Sequence, residues 1–77
     1  MPRFYQNVHY RGRVFPDTEG DDLPDVDAAR DFARQAARDL MRGPSLDAIK
    51  DWRDCSFEIT NEDGRTVLTL PFAEAGA

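Results

Sequence analysis

The sequence predicts an α+β domain in ββαββ order, with one long helix packed on a four-stranded, mainly antiparallel sheet. Three observations predict it. Apolar residues recur at helical spacing through the middle of the chain, from Val26 to Met41. The segments on either side are short, rich in aromatic or β-branched residues, and alternate with a period of two. Glycine-bearing turns divide those segments into pairs. A helix carries one apolar stripe, so a single helix covers one face of a small sheet and leaves the other face open.

The first strand is "RFYQNVHY", in which Phe4, Gln6, Val8 and Tyr10 share one side and Tyr5, Asn7 and His9 the other. "YRGR" is a turn with Gly12 as the permissive residue, and "RVF" is a short second strand stopped by Pro16. Pro24 precedes Asp25, whose carboxylate is placed to accept from the free amides of a first helical turn. Val26, Ala29, Phe32, Ala33, Ala36, Ala37, Leu40 and Met41 then form the stripe, and alanine adds intrinsic helix propensity. Gly43 and Pro44 end the helix, glycine as a left-handed cap and proline as a residue that cannot continue it. In "PSLDAIKDWRD", Ser45 caps a turn or two of helix with Leu46 and Ile49 on one side.

The chain closes on a hairpin. "CSFEIT" sets Phe57 and Ile59 against Glu58 and Thr60, and "TVLTLPF" sets Leu68, Leu70 and Phe72 on one face. "NEDG" between them supplies turn chemistry, and Pro71 marks a strand end or an edge. Phe4, Val8, Phe57, Ile59, Leu68 and Leu70 are the expected covered face. Tyr5, Asn7, His9, Glu58, Thr60, Val67 and Thr69 are the expected open one, polar yet sticky at Tyr5, His9 and Val67. Pattern alone does not fix the strand order.

Three stretches resemble a known family: "MPRFYQNV" at the start, "EGDDLPDVDAAR" into the helix, and "FEITNEDGRTVLTLPFAEA" at the end. They are similar to a set of small bacterial proteins, common in rhizobia and related alphaproteobacteria, that is catalogued as domain of unknown function 6894. The resemblance spans nearly the whole chain and implies fold and taxonomic setting, with no activity to carry over. Gln6 and Asn7 stand where that family more often has an aromatic residue and a histidine.

Composition narrows the function classes. A chain of 77 residues forms one domain, and folding leaves roughly 40% of its unfolded surface in contact with water. Hydrophobic content of 40% against 32% charged fits a folded globular chain. A lone cysteine, Cys55, makes no internal disulfide, and no secretory or membrane-spanning stretch is visible, so the expected setting is the cytoplasm, with no membrane partner. The net charge of −5 disfavours nucleic acid, which proteins bind chiefly by neutralising phosphates. That charge is segregated. Arg3, Arg11 and Arg13 lie before an acid run of Asp17, Glu19, Asp21, Asp22, Asp25 and Asp27.

The acid run invites comparison with a calcium loop. Counted from Asp17, acids fall at positions 1, 3, 5 and 9 of an EF-hand loop, but Asp22 replaces the glycine at 6 and Ala28 the bidentate glutamate at 12. A polar front end for the helix is the better reading, with Asp25 and Asp27 on the positive end of its dipole. No metal or other cofactor is expected. His9, the single histidine, reads as a half-exposed sheet residue, and Cys55, in phase with Phe57 and Ile59, as a small buried hydrophobe. Trp52 reads either as a core cap or as an exposed anchor.

Arg30, Arg34, Arg38 and Arg42 follow at intervals of four and form one basic stripe along the helix. Like charges at that spacing repel, so either neighbouring acids neutralise them or an acidic partner does. The leading expectation is a non-enzymatic interaction module that binds a protein partner or a second copy of itself through the open sheet face (Tyr5, His9, Val67) or an open strand edge. The alternative is a small regulatory protein that meets an acidic surface or nucleic acid through the arginine stripe.

Overall fold

In the computed structural model, residues 1–43 and 51–75 are described. The elements are β1 (Arg3–Tyr10), β2 (Arg13–Phe15), β3 (Asp21–Asp22), α1 (Val26–Arg42), a 3₁₀ turn (Trp52–Asp54), β4 (Cys55–Thr60), β5 (Thr66–Pro71) and a four-residue α2 (Phe72–Ala75). The α+β class and the ββαββ frame hold; β3 and α2 are additions to it. Every pairing among the described strands is antiparallel, in the order β2-β1-β4-β5, with β3 also on β1. The first and third predicted strands thus become central neighbours. The helical crossover returns the chain to the side of β1 that β2 leaves free.

The β1–β2 turn is a two-residue loop with both positions at positive φ, Arg11 at 47° and Gly12 at 82°. That geometry matches the twist of the strands it joins, and glycine carries its second position without strain. The β4–β5 turn is organised by Asn61, whose side-chain Oδ1 accepts from the amides of Asp63 and Arg65, both at 3.0 Å. Gly64 there sits at φ 80°, as Asp63-Gly64 foretold. Asp25 caps α1 through a 2.8 Å bond from the Ala28 amide. At the other end Gly43 is extended, with φ −83°, so the expected left-handed cap does not form. Its amide donates to the Leu40 carbonyl instead. The proposed helical start at Ser45, with Leu46 and Ile49, lies outside the described residues.

One face of the sheet makes the core. Register aligns Tyr10 with Cys55, Val8 with Phe57, Phe57 with Leu70, and Ile59 with Leu68. From α1 come Ala29, Ala33 and Ala37, all completely buried. Methyl side chains at i, i+4 and i+8 allow the helix backbone to lie close on β5, against which α1 packs. Phe4, Phe57, Ile59 and Leu70 are buried as expected, and Val8 and Leu68 pack half-buried against them.

Two residues lie elsewhere than expected. Phe72 does not continue the strand: Pro71 is its last residue, and Phe72 opens α2, fully buried. Val67 is not on the open face. The register slips by one residue beside Ile59 and Thr60, pairing Thr60 with Thr66 and leaving Val67 as a bulge. Val67 therefore packs against the core, beside Phe4 and Val26 in a cleft of about 350 Å³.

Gln6 is the polar residue on the core side of β1, and its side-chain Nε2 is buried with no hydrogen-bond partner. An unpaired buried amide costs about 1–3 kcal/mol. Gln6→Leu removes that cost and adds apolar contact with Ile59, its cross-strand neighbour. The expected result is a gain of about 1 kcal/mol, seen as a melting temperature higher by roughly 4–8 °C.

Candidate interaction surface

The helices and the 3₁₀ turn pack on the core face, so the reverse face of the sheet carries no helix, and the Asp17–Gly20 loop lies against it only beside Tyr5 and Asn7. β4 shows the division residue by residue: Cys55, Phe57 and Ile59 are buried, while Ser56, Glu58 and Thr60 are half-exposed. Register builds three rows across the bare side. Val14, His9, Ser56 and Pro71 form the first, Asn7, Glu58 and Thr69 the second, Tyr5, Thr60 and Thr66 the third. Of the expected open-face residues, Tyr5, Asn7, His9, Glu58, Thr60 and Thr69 fall here, and Val67 does not. Val14 joins them, 51% exposed. Its place was legible, since a tight turn between two short strands puts Val14 opposite His9.

Glu58 is the hub. Its Oε1 lies 2.7 Å from His9 Nε2, and its Oε2 accepts from the Thr66 hydroxyl at 2.6 Å. Those bonds, Thr66 first and His9 second, stabilise the charged form and hold Glu58 below the usual carboxylate range. Asn7 ties the second row to the third: its Nδ2 donates to the Glu58 carbonyl at 3.1 Å and to Thr60 Oγ1 at 3.2 Å. Thr66→Val is expected to raise the Glu58 pKa toward its ordinary value, read by a carboxylate NMR titration. An unmoved titration would mean that the threonine does not set it.

Asn7 also holds the acid run. Its Oδ1 accepts from the Asp17 amide at 3.0 Å. Asp17 Oδ2 in turn accepts from the Gln6 amide at 3.1 Å, while Oδ1 takes the amides of Glu19 and Gly20. Partial burial pushes the Asp17 carboxyl up, yet the three amides together outweigh it, and its pKa lies below the usual value. Three more acids of the run are occupied as well. Asp22 meets Arg3 at 3.0 Å, Asp25 caps α1, and Asp27 meets Arg30 at 3.3 Å. The run is thus half edge-filler for β1 and half helix front end. Gly20 is essential to it: φ is 71°, and a Cβ there would meet Arg3 Cγ and Tyr5 Cε1 at 2.9 Å. Among the described residues no group of three or more His, Cys, Asp or Glu is placed to hold a metal ion.

The arginine stripe is largely engaged within the fold. Arg30 pairs with Asp27 and Arg42 with Asp39, at 3.3 and 3.7 Å. Arg38 Nε donates to the Ala75 carbonyl at 2.8 Å. Arg34 alone of the four has no such bond among the described residues. Cys55 and His9 lie on opposite faces of the sheet and do not converge. Burial pushes the Cys55 thiol up, and Asp54 and Asp51 add to it. Trp52 is a core residue, its ring stacked on Phe72 with centroids 6.0 Å apart. Among the described residues no helix is long and apolar enough to cross a membrane.

No curated protein and no solved structure matches this chain. A family description does match, over residues 3–73, and on that match the chain belongs to the family described as Domain of unknown function (DUF6894).

Proposed function

We propose that the protein is a non-enzymatic interaction module of the cytoplasm that associates with a second copy of itself, or holds a protein partner, through the side of its sheet left without a helix or through an open strand edge. The carrying observation is that side: three rows of half-exposed and exposed residues in which Tyr5, His9 and Val14 interrupt a field of short hydroxyl and amide side chains. Their hydrogen bonds fix one another across β1, β4 and β5, so the surface is pre-ordered and loses little entropy on binding.

Two details support binding over catalysis. The Thr66 hydroxyl donates to Glu58 and not to His9, so the nucleophile–base–carboxylate order of a hydrolytic triad is absent from the cluster. The Cys55 thiol is buried and held protonated. The engaged arginines and the net charge of −5 disfavour nucleic acid as the partner.

Light scattering across a concentration series tests the self-association. The expected molar mass climbs from 8.7 kDa toward twice that value. A mass fixed at the monomer value throughout overturns it.

A further inference from the structure

β5 is an edge strand, and the hydrogen-bond pattern on its outer side is empty. Half of the backbone groups of an edge strand point away from its partner. None of those of Thr66–Leu70 meets another backbone or side chain among the described residues. The opposite edge is treated differently. There β3 covers Arg3 and Phe4, β2 covers Val8 to Tyr10, and the Asp17 carboxylate takes the amide between them. One edge is filled and the other is open.

Open edges are commonly guarded by charge, by proline or by a bulge. "TVLTLP" carries no charge, and its proline and its bulge stand toward its two ends. The bulge at Val67 and the proline at 71 bound the regular part of the strand and leave Leu68, Thr69 and Leu70 between them. A second unpartnered feature lies on the same side. Arg38 reaches Ala75, so that flank of α1 faces α2, which packs inward on β4 and the 3₁₀ turn. Phe32 lies about 120° round the helix from Arg38. Phe32 is 40% exposed, and Leu40, two turns on, is 36% exposed. With α1 packed on β5 and α2 on β4, the flank of α1 turned from α2 is the one on the free side of β5.

We infer that β5 is the dimer contact: two copies pair antiparallel, edge to edge, about a two-fold axis near Thr69, and their α1 helices meet along Phe32. This rests on the self-association proposed above and narrows it to one edge. A two-fold axis perpendicular to the sheet keeps both helices on one side and makes the contact self-complementary. It joins the two four-stranded paths into one continuous sheet. An uncharged strand pairs with its own copy without opposing like charges, which a protein of net charge −5 needs at a contact between identical chains. The bare sheet face stays free in the dimer.

The test compares molar mass and β5 amide exchange in the wild type and three surface variants, with far-UV circular dichroism to show that each folds. In the wild type at high concentration the expected mass is twice 8.7 kDa, with β5 amides that lose protection on dilution. Thr69→Lys sets two ammonium groups face to face, and Phe32→Glu does the same with carboxylates along the helices. Each is expected to weaken dimerisation at least tenfold. Tyr5→Lys, on the bare face, is expected to leave it unchanged. A dimer broken by Tyr5→Lys but not by the other two overturns the edge and keeps the face as the contact. A wild type that stays monomeric overturns self-association, and this inference with it.

Discussion

Phe72→Ala is expected to cost about 3–5 kcal/mol, the range for truncating a buried phenylalanine. The whole domain holds roughly 4–12 kcal/mol at ordinary values per residue, so this one change brings it close to unfolding at 37 °C. The cost is high because Phe72 joins three parts of the fold. Its ring lies 4.7 Å from Phe57 of β4 and stacks at 6.0 Å on Trp52 of the 3₁₀ turn. It also begins α2, whose Ala75 carbonyl receives Arg38 of α1. Truncation leaves a cavity where β4, the 3₁₀ turn and α2 converge, and the packing of these parts on one another limits how far they can collapse. Urea unfolding followed by Trp52 fluorescence reads the loss. Phe72→Leu keeps most of the volume and is expected to lose less than half as much. Equal losses in the two variants would mean that burial volume does not set the cost.

Phe72 also shows where pattern reading stops. Leu68, Leu70 and Phe72 alternate as a strand does; Pro71 marks the strand end, as the sequence indicates, but nothing in the pattern says that Phe72 opens a helix there. The turn is decided by what the new direction buries, namely the ring against Trp52 and Phe57. Val67 failed for a related reason. Alternation assumes an unbroken register, and one bulge reversed the faces of Thr66 and Val67 while Leu68 and Leu70 kept theirs. The helix was legible almost to the residue because its stripe, its Asp25 cap and its stop at Gly43 agree with one another. Strand order was not, since both sides of β1 carry similar alternation and only the crossover decides which side β4 takes.

The candidate surface was legible as composition and not as chemistry. The sequence places His9, Asn7, Glu58 and Thr60 on one face. It does not say that Glu58 gathers His9 and Thr66, because that meeting depends on a cross-strand register that no local signal carries. The arginine stripe is a case of the other kind. Its spacing stands out in the sequence, but three of its four members find partners at distances that spacing alone leaves open. A periodic charge pattern reports exposure more reliably than it reports function. What the fold leaves unpaired, the β5 edge, has no signature beyond a run of residues that happen to be uncharged.

Asp17 carries the second large effect. A strand edge with a gap between two short partners would leave the Gln6 amide facing nothing, and the carboxylate of Asp17 fills that place while also binding Glu19 and Gly20. Asp17→Asn keeps one oxygen for the loop amides but turns an NH₂ group toward the Gln6 amide, donor against donor. At neutral pH the expected cost is about 1–3 kcal/mol, the penalty for stranding a charge-assisted acceptor's partner. The pH dependence gives the charge its own signature. The folded-state pKa of Asp17 is depressed, so its contribution is complete above the unfolded value, near 3.8, and is lost as pH falls through the lower folded value. Urea unfolding of both proteins at pH 7 and below pH 3.8 should therefore show the gap between them narrowing in acid. A gap of constant size would assign the effect to the shape of the side chain and remove the carboxylate's charge from the account of why this edge of the sheet is closed while the other stays open.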